Sequence, residues 1–211
     1  MSLDDTQKKL NAYFAQKLES FGATPRGVDY NGPEAQAVRF EQLVKVIDGS
    51  RKFSVIDYGS GYGAMFDFLD ARGWQFDYYG VDLVEEMTIA GRAAHAGFAN
   101  ARFTTDERQL PVADYLVASA IFNVKLDTPV EQWRQSTLDT LRTMNRLCTK
   151  GLSFNMLTAY SDADRVAARP DLFFGDPGFY FDFCKREFSR NVALLHDYDL
   201  YDFTILVRKA T

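Results

Sequence analysis

The sequence predicts an α/β fold, a mostly parallel sheet with helices on both faces that closes in an antiparallel hairpin. Three observations predict it. Between residues 53 and 157, short apolar runs alternate with helical patterns, and that rhythm calls for crossover connections over a parallel sheet. Near the end, 192–195 and 203–207 read as strands joined by so few residues that they can pair only antiparallel. Finally, 211 residues with 46% hydrophobic and 25% charged content suit one globular unit with one sizeable core. A single domain over 1–211 is therefore expected.

Taken in order, Leu10, Tyr13, Phe14, Leu18 and Phe21 recur at helical spacing over 4–21, and Gly22 follows as a stop. A second helix starts near Pro33, carries Phe40, Leu43, Val44 and Ile47 on one face, and ends at Gly49. These helices form an N-terminal section, 1–50. Residues 53–158 then supply a ligand-binding core. Phe53-Ser54-Val55-Ile56-Asp57-Tyr58 reads as a buried strand, followed by a helix over 64–72 that closes at Gly73. Strands are expected at 78–82, 101–105, 115–120 and 152–157, with a helix over 85–96 after the first of them. Trp133, Thr137, Leu141, Met144 and Cys148 read as the inner stripe of a long helix ended by Gly151. Residues 159–187 hold many aromatics among Pro and Gly and read as an irregular insertion on the acceptor side. The terminal hairpin occupies 188–211.

Charge and composition exclude several classes of function. A formal charge of −5 argues against broad nucleic-acid binding, which needs a basic surface. No apolar run approaches the roughly 20 residues of a membrane-spanning helix, and the first ten residues lack the apolar stretch of a signal peptide. Cys148 and Cys184 are too few to staple the fold, so free thiols in a reducing cytoplasm are expected. No spacing of His, Cys or Asp resembles a metal site.

The chemistry gathers where the first strand gives way to a helix, at Asp57-Tyr58-Gly59-Ser60-Gly61-Tyr62-Gly63. Glycines there permit a tight turn and close approach of a ligand to backbone. Read as G-x-G-x-x-A through Gly59, Gly61 and Ala64, the loop also fits a nicotinamide-dinucleotide fingerprint. The missing Lys-Ser/Thr pair excludes a nucleoside-triphosphate loop. Asp57 would repel a pyrophosphate, whereas it can accept a hydrogen bond from an ammonium group. Asp82, at the end of the next strand, is placed to take the two hydroxyls of a ribose. A ligand with a ribose, a cationic amino-acid end and no phosphate satisfies all three elements, and S-adenosylmethionine is such a ligand.

These residues carry a resemblance to the class I S-adenosylmethionine-dependent methyltransferases, over about residue 33 to the end. The loop at 57–63 matches the family's first motif, D-x-G-x-G-x-G, and Gly80-Val81-Asp82 its second. Thr105-Asp106-Glu107 with Leu110-Pro111 is similar to the adenine-contacting segment. Tyr115–Ser119 resembles the fourth strand, whose end lines the cofactor. The resemblance implies a Rossmann-like, seven-stranded sandwich. It implies S-adenosylmethionine held by Asp57, Gly59, Ser60, Gly61, Gly63, Asp82, Leu83, Asp106, Glu107 and Ser119.

The acceptor is expected beside the glycine loop, over the ends of the fourth and fifth strands. Asn123, Tyr160 and His196 are the acceptor-side catalytic candidates, and 159–187 is the expected cover. The Asn/Asp-Pro-Pro-aromatic run of amino-methylating relatives does not occur in Ser119-Ala120-Ile121-Phe122-Asn123. Methylation of a DNA base or a glutamine amide is therefore not expected. The acidity of the chain and its aromatic insertion make a small-molecule or sugar-like acceptor, methylated on oxygen, the expected one. Two rivals stand beside it. A short-chain dehydrogenase needs Tyr-x-x-x-Lys downstream of the loop, and only Tyr13 and Lys17, upstream of it, have that spacing. The second rival is a non-catalytic subunit that kept the cofactor fold.

Overall fold

The computed structural model describes residues 3–210, apart from the side chains of Leu3 and Asp4. Helix α1 (Leu3–Phe21) ends as Gly22 turns left-handed at φ +67°, its amide bonded to Leu18. Helix α2 (Pro33–Leu43) begins on its proline, whose fixed φ suits the first helical turn and whose missing N–H costs nothing there. It stops at Leu43 and tightens into a 3-10 turn through Val46, earlier than Gly49.

The sheet strands are β1 (Phe53–Tyr58), β2 (Phe76–Val81), β3 (Ala101–Thr104), β4 (Ala113–Ala118), β5 (Cys148–Leu157), β6 (Asn191–Leu195) and β7 (Asp202–Arg208). They lie in the order β3-β2-β1-β4-β5-β7-β6, and β7 alone runs antiparallel to its neighbours β5 and β6. Strand order reverses between β1 and β4, which opens a crevice at the carboxyl ends of those strands. Helices α3 (Ala64–Asp70), α4 (Glu85–Ala94) and α5 (Val130–Arg146) form the crossovers.

The core lies on both sheet faces. Ile56, Leu116, Phe154 and Phe203 pack with Trp133, Leu141 and Met144 of α5 on one side. Val55, Tyr78, Val117 and Leu206 pack with Leu43, Phe66 and Leu69 on the other. A buried ion pair between Arg39 and Asp202 ties α2 to the start of β7. His95 is buried, hydrogen-bonded to Asp67 and stacked on Phe103, which makes it part of the core.

Two expectations need correction. Cys148 does not continue the inner stripe of α5. The helix ends at Arg146 and Cys148 opens β5, so Gly151 lies inside a strand, where a Cβ would come within 2.7 Å of the Val207 carbonyl. Nor is 159–187 irregular. It holds α6 (Ala163–Ala168) and α7 (Pro177–Glu187), the latter capped by Asp176, whose carboxylate accepts from the amides of Gly178 and Phe179. Phe173, Tyr180 and Cys184 are buried in the same cluster as Phe154 and Phe203. That segment is a crossover with a core face.

Candidate active site

A cavity of about 330 Å³ opens at the crevice, within the size range of small-molecule sites. The glycine loop forms one wall. The amides of Gly59 and Ser60 both donate to the Val81 carbonyl, at 2.8 and 3.0 Å, which folds the loop over the end of β2. Gly59 (φ +81°) and Gly61 (φ +52°) take the left-handed conformation that side chains resist. A Cβ on Gly59 would fall 2.2 Å from Ile121 Cγ2, and one on Gly61 2.8 Å from Val28 Cγ1. Ser60 lines the cavity with a buried hydroxyl that has no hydrogen-bond partner among the described residues. Gly63 stands behind the loop against His95 and Phe103 and does not line the cavity.

Asp57 and Asp82 face the same space. Tyr78 donates to Asp57 Oδ2 at 2.6 Å. Burial pushes the Asp57 carboxyl up to about 7, against the pull of the Tyr78 hydrogen bond and with a smaller push from the Asp82 charge. Asp82 accepts from the amides of Gly61 (2.8 Å) and Val84 (2.9 Å). Burial raises its carboxyl as well, and those two amides oppose the rise. Each carboxylate oxygen has two lone pairs, so Asp82 keeps acceptor capacity on both oxygens while holding the loop in place.

Further round the rim, Asp106 and Glu107 part company. Asp106 is absent from the cavity wall and is engaged by the amide and guanidinium of Arg108. Glu107 lines the cavity, and its Oε2 accepts from the Tyr58 hydroxyl at 2.6 Å. Leu83 and Ser119 also line it. Tyr30, in the loop before α2, donates to Ser119 Oγ at 2.6 Å, and burial raises its phenol so that it stays protonated. Beside them Ala120 is left-handed (φ 61°), its amide donating to Oδ1 of the fully buried Asn155 at 2.8 Å.

The three acceptor-side candidates are not brought to this cavity. Asn123 is buried between strands and bridges, taking the Leu157 amide on Oδ1 at 2.9 Å and the Phe173 amide on its carbonyl. Tyr160 is 77% exposed and packs against the exposed His196, with ring centroids 5.8 Å apart. The expected cover does not line it either. Residues 159–187 instead enclose, with Arg134, a separate small cavity that touches Phe174, Phe179 and Tyr180.

Helix α1 lines the cavity instead, with Leu10 and Phe14 on its wall together with the glycine loop and α5. Sequence spacing marks α1 as a helix and gives no sign of what it faces. Tyr13 and Lys17, the pair with dehydrogenase spacing, both bind Asp29, at 2.8 and 2.6 Å, away from the cavity wall.

The donor set suits S-adenosylmethionine. A buried carboxylate beside the loop matches an ammonium, a second one at the end of β2 matches vicinal hydroxyls, and the left-handed glycines admit ligand atoms against backbone.

No protein-family model matches the chain. Among curated proteins it is 48% identical over 168 residues, 80% of this chain and 100% of the relative, to "Putative methyltransferase Rv1506c" of Mycobacterium tuberculosis (strain ATCC 25618 / H37Rv). Among solved structures it resembles magnesium protoporphyrin IX methyltransferase from Synechocystis PCC 6803 with bound SAH. That match has a TM-score of 0.65 at 14% identity and covers 97% of this chain and 100% of the other. It also resembles the N-methyltransferase NodS from Bradyrhizobium japonicum WM9 in complex with S-adenosyl-L-homocysteine, with a TM-score of 0.65 at 13% identity, over 95% and 98% of the two chains. The structural likenesses establish the fold, and the close relative establishes the kind of enzyme. Joined to the strand order and the intact loop, they show that the chain belongs to the class I S-adenosylmethionine-dependent methyltransferases.

Proposed function

We propose that the chain transfers a methyl group from S-adenosylmethionine to a hydroxyl of a small, sugar-like acceptor. One observation carries the reading. A single cavity runs from Asp57, Asp82 and Glu107 past Ser119 to a wall of uncharged polar side chains on α1 and α5. In this reading Asp57 holds the ammonium group, Asp82 the ribose hydroxyls and Glu107 the adenine edge. Gly59, Ser60 and Gly61 hold the ligand through their backbone, and Leu83 packs beside the ribose. When bound, the cofactor supplies a methyl group already activated by its sulfonium.

The protein's work is then positioning and exclusion of water. Tyr30 fixes the Ser119 hydroxyl at the junction of the two halves, and Asn155 fixes the strained turn at Ala120 beneath it. An acceptor oxygen lone pair forms the new bond to carbon as the bond from sulfur breaks, and the hydroxyl proton ends on solvent. Cys148 and Cys184 are buried free thiols, in keeping with a reducing cytoplasm, and no described helix is long and apolar enough to cross a membrane.

Calorimetric titration with S-adenosylhomocysteine tests the cofactor half. Asp82→Ala should weaken binding by about 2 kcal/mol, roughly thirtyfold, the range for hydrogen bonds to a charged group. A folded variant that binds within twofold of wild type would remove Asp82 from the ribose site.

A further inference from the structure

We infer that the space between α1 and α5 is the acceptor chamber and that it is built for an uncharged, polyhydroxylated ring such as a hexoside. The inference rests on the methyl-transfer reading above and assigns its second substrate site. Helix α5 is amphipathic, with Trp133, Thr137, Leu141 and Met144 buried toward the sheet. The adjoining row, Gln132, Ser136 and Thr140, recurs every four residues, so it forms one continuous stripe on the helix. Were that stripe covered by protein core, apolar residues would be expected along it. Instead it is polar, half-buried and lines the cavity. The hydroxyls of Ser136 and Thr140 make no hydrogen bond to any described residue, so both are available to a ligand.

Facing this stripe, α1 contributes Thr6 and Gln7, with Leu10 and Phe14 one turn and two turns on. Polar contacts hold the helix down over the chamber. Thr6 Oγ1 lies 3.3 Å from Thr128 Oγ1, and Asn11 Nδ2 donates to the Leu83 carbonyl at 3.2 Å, while within the helix Gln7 Nε2 orients Asn11 by donating to its Oδ1 at 2.8 Å. The chamber therefore alternates hydroxyl and amide groups with apolar patches at Leu10, Phe14 and Phe122. A sugar ring has the matching pattern, with equatorial hydroxyls around its edge and an apolar C–H face. The carboxylates of the site, Asp57, Asp82 and Glu107, lie at the cofactor end. A charged acceptor buried against Ser136 and Thr140 would lose its hydration without gaining a counter-ion.

Trp133 lines the chamber and provides a reporter, since Trp74, the other tryptophan, lies off the cavity wall, half-buried against Phe53. In the Trp74→Phe protein saturated with S-adenosylhomocysteine, methyl α-hexopyranosides and myo-inositol should change Trp133 emission at millimolar concentration. Glucuronic acid and glucosamine should bind at least about tenfold more weakly. The same compounds supplied with S-adenosylmethionine should rank in the same order by release of S-adenosylhomocysteine. Ser136→Ala combined with Thr140→Val should weaken the neutral ligands about tenfold, the loss expected for two neutral hydrogen bonds, and leave S-adenosylhomocysteine affinity within twofold. Binding that favours the charged sugars, neutral binding indifferent to the double substitution, or a silent panel would each overturn the inference. Failure of S-adenosylhomocysteine itself to bind would instead overturn the reading of the cofactor site, which keeps the two failures apart.

Discussion

Asp57 gives the most exacting test of the cofactor half. Its carboxyl is buried, receives one hydrogen bond from Tyr78, and is held up to about 7 in the free protein. If it binds the ammonium of the cofactor, only its ionised form binds well. Below pH 7, each unit of pH then costs about 1.4 kcal/mol, a factor of ten in affinity. Between pH 8 and pH 5.5 the affinity for S-adenosylhomocysteine should fall about thirtyfold, because only about one carboxyl in thirty stays ionised at the lower value. Below pH 7 calorimetry in buffers of different protonation enthalpy should show release of close to one proton per ligand bound.

The same group predicts an opposite effect on stability. Its folded value lies above the ordinary 3.8, so the native state holds this proton more tightly than the unfolded chain. The stabilisation is complete below about pH 4 and is lost as pH rises through about 7. At pH 8 the ionised, buried Asp57 costs the free protein on the order of 4 kcal/mol. Asp57→Asn should therefore raise the melting temperature at pH 8, leave it nearly unchanged at pH 4, and flatten the pH profile of ligand binding. A slope that survives in Asp57→Asn would belong to Asp82, the neighbouring carboxyl that burial also raises. A wild-type affinity that does not change between pH 8 and 5.5 would refute the ammonium contact.

Two further outcomes follow from local geometry. Glu107→Ala should weaken S-adenosylhomocysteine about tenfold while Asp106→Ala changes it less than twofold, and Tyr58→Phe, by freeing Glu107, should reduce the preference for the adenosine ligand over its inosine analogue; equal losses at 106 and 107 would reverse that assignment. Tyr180→Ser should destabilise the fold by about 3 kcal/mol or more, since it empties a fully buried site, whereas the 41% exposed Phe179 should tolerate Ser; chemical denaturation measures both, and unchanged stability of Tyr180→Ser with lost turnover would restore a covering role for α7.

Different parts of this protein were legible in the sequence for different physical reasons. The sheet could be read because a parallel strand buried on both faces leaves a dense apolar run, as at 53–58 and 152–157, and because short connections permit only one pairing direction. The glycine loop could be read because backbone conformation itself restricts composition. Left-handed positions at 59 and 61 demand glycine, and the carboxylates at 57 and 82 follow from strand ends fixed by the same pattern. Asp106 and Glu107 could not be told apart, since a two-residue turn closed by Arg108 decides which carboxylate faces inward. The start of α7 did carry a signal, Asp176 before Pro177, and the clustered aromatics masked it. Their buried members, Tyr180 and Cys184, nonetheless stand four residues apart on one helical face.

The role of α1 was the least legible, and the reason is the character of its contacts. A helix that docks through a broad apolar stripe announces its partner face in its own sequence. This one has an apolar stripe that is only half-buried, with Leu10 set against a core cluster, and its other ties to distant residues are scattered polar contacts. Thr6 meets Thr128, 122 positions away, Lys9 meets Asp127, and Asn11 reaches the Leu83 carbonyl. Exposed ion pairs and single neutral hydrogen bonds contribute about 1 kcal/mol or less each. Loss of any one of these contacts costs little and leaves the sheet beneath untouched. That suits a cover over a site whose two substrates must enter and whose two products must leave. The partner that gives Leu10 and Phe14 a fuller apolar surface is then the ligand, so the residues covering the reaction carry a pattern that only the occupied site would complete.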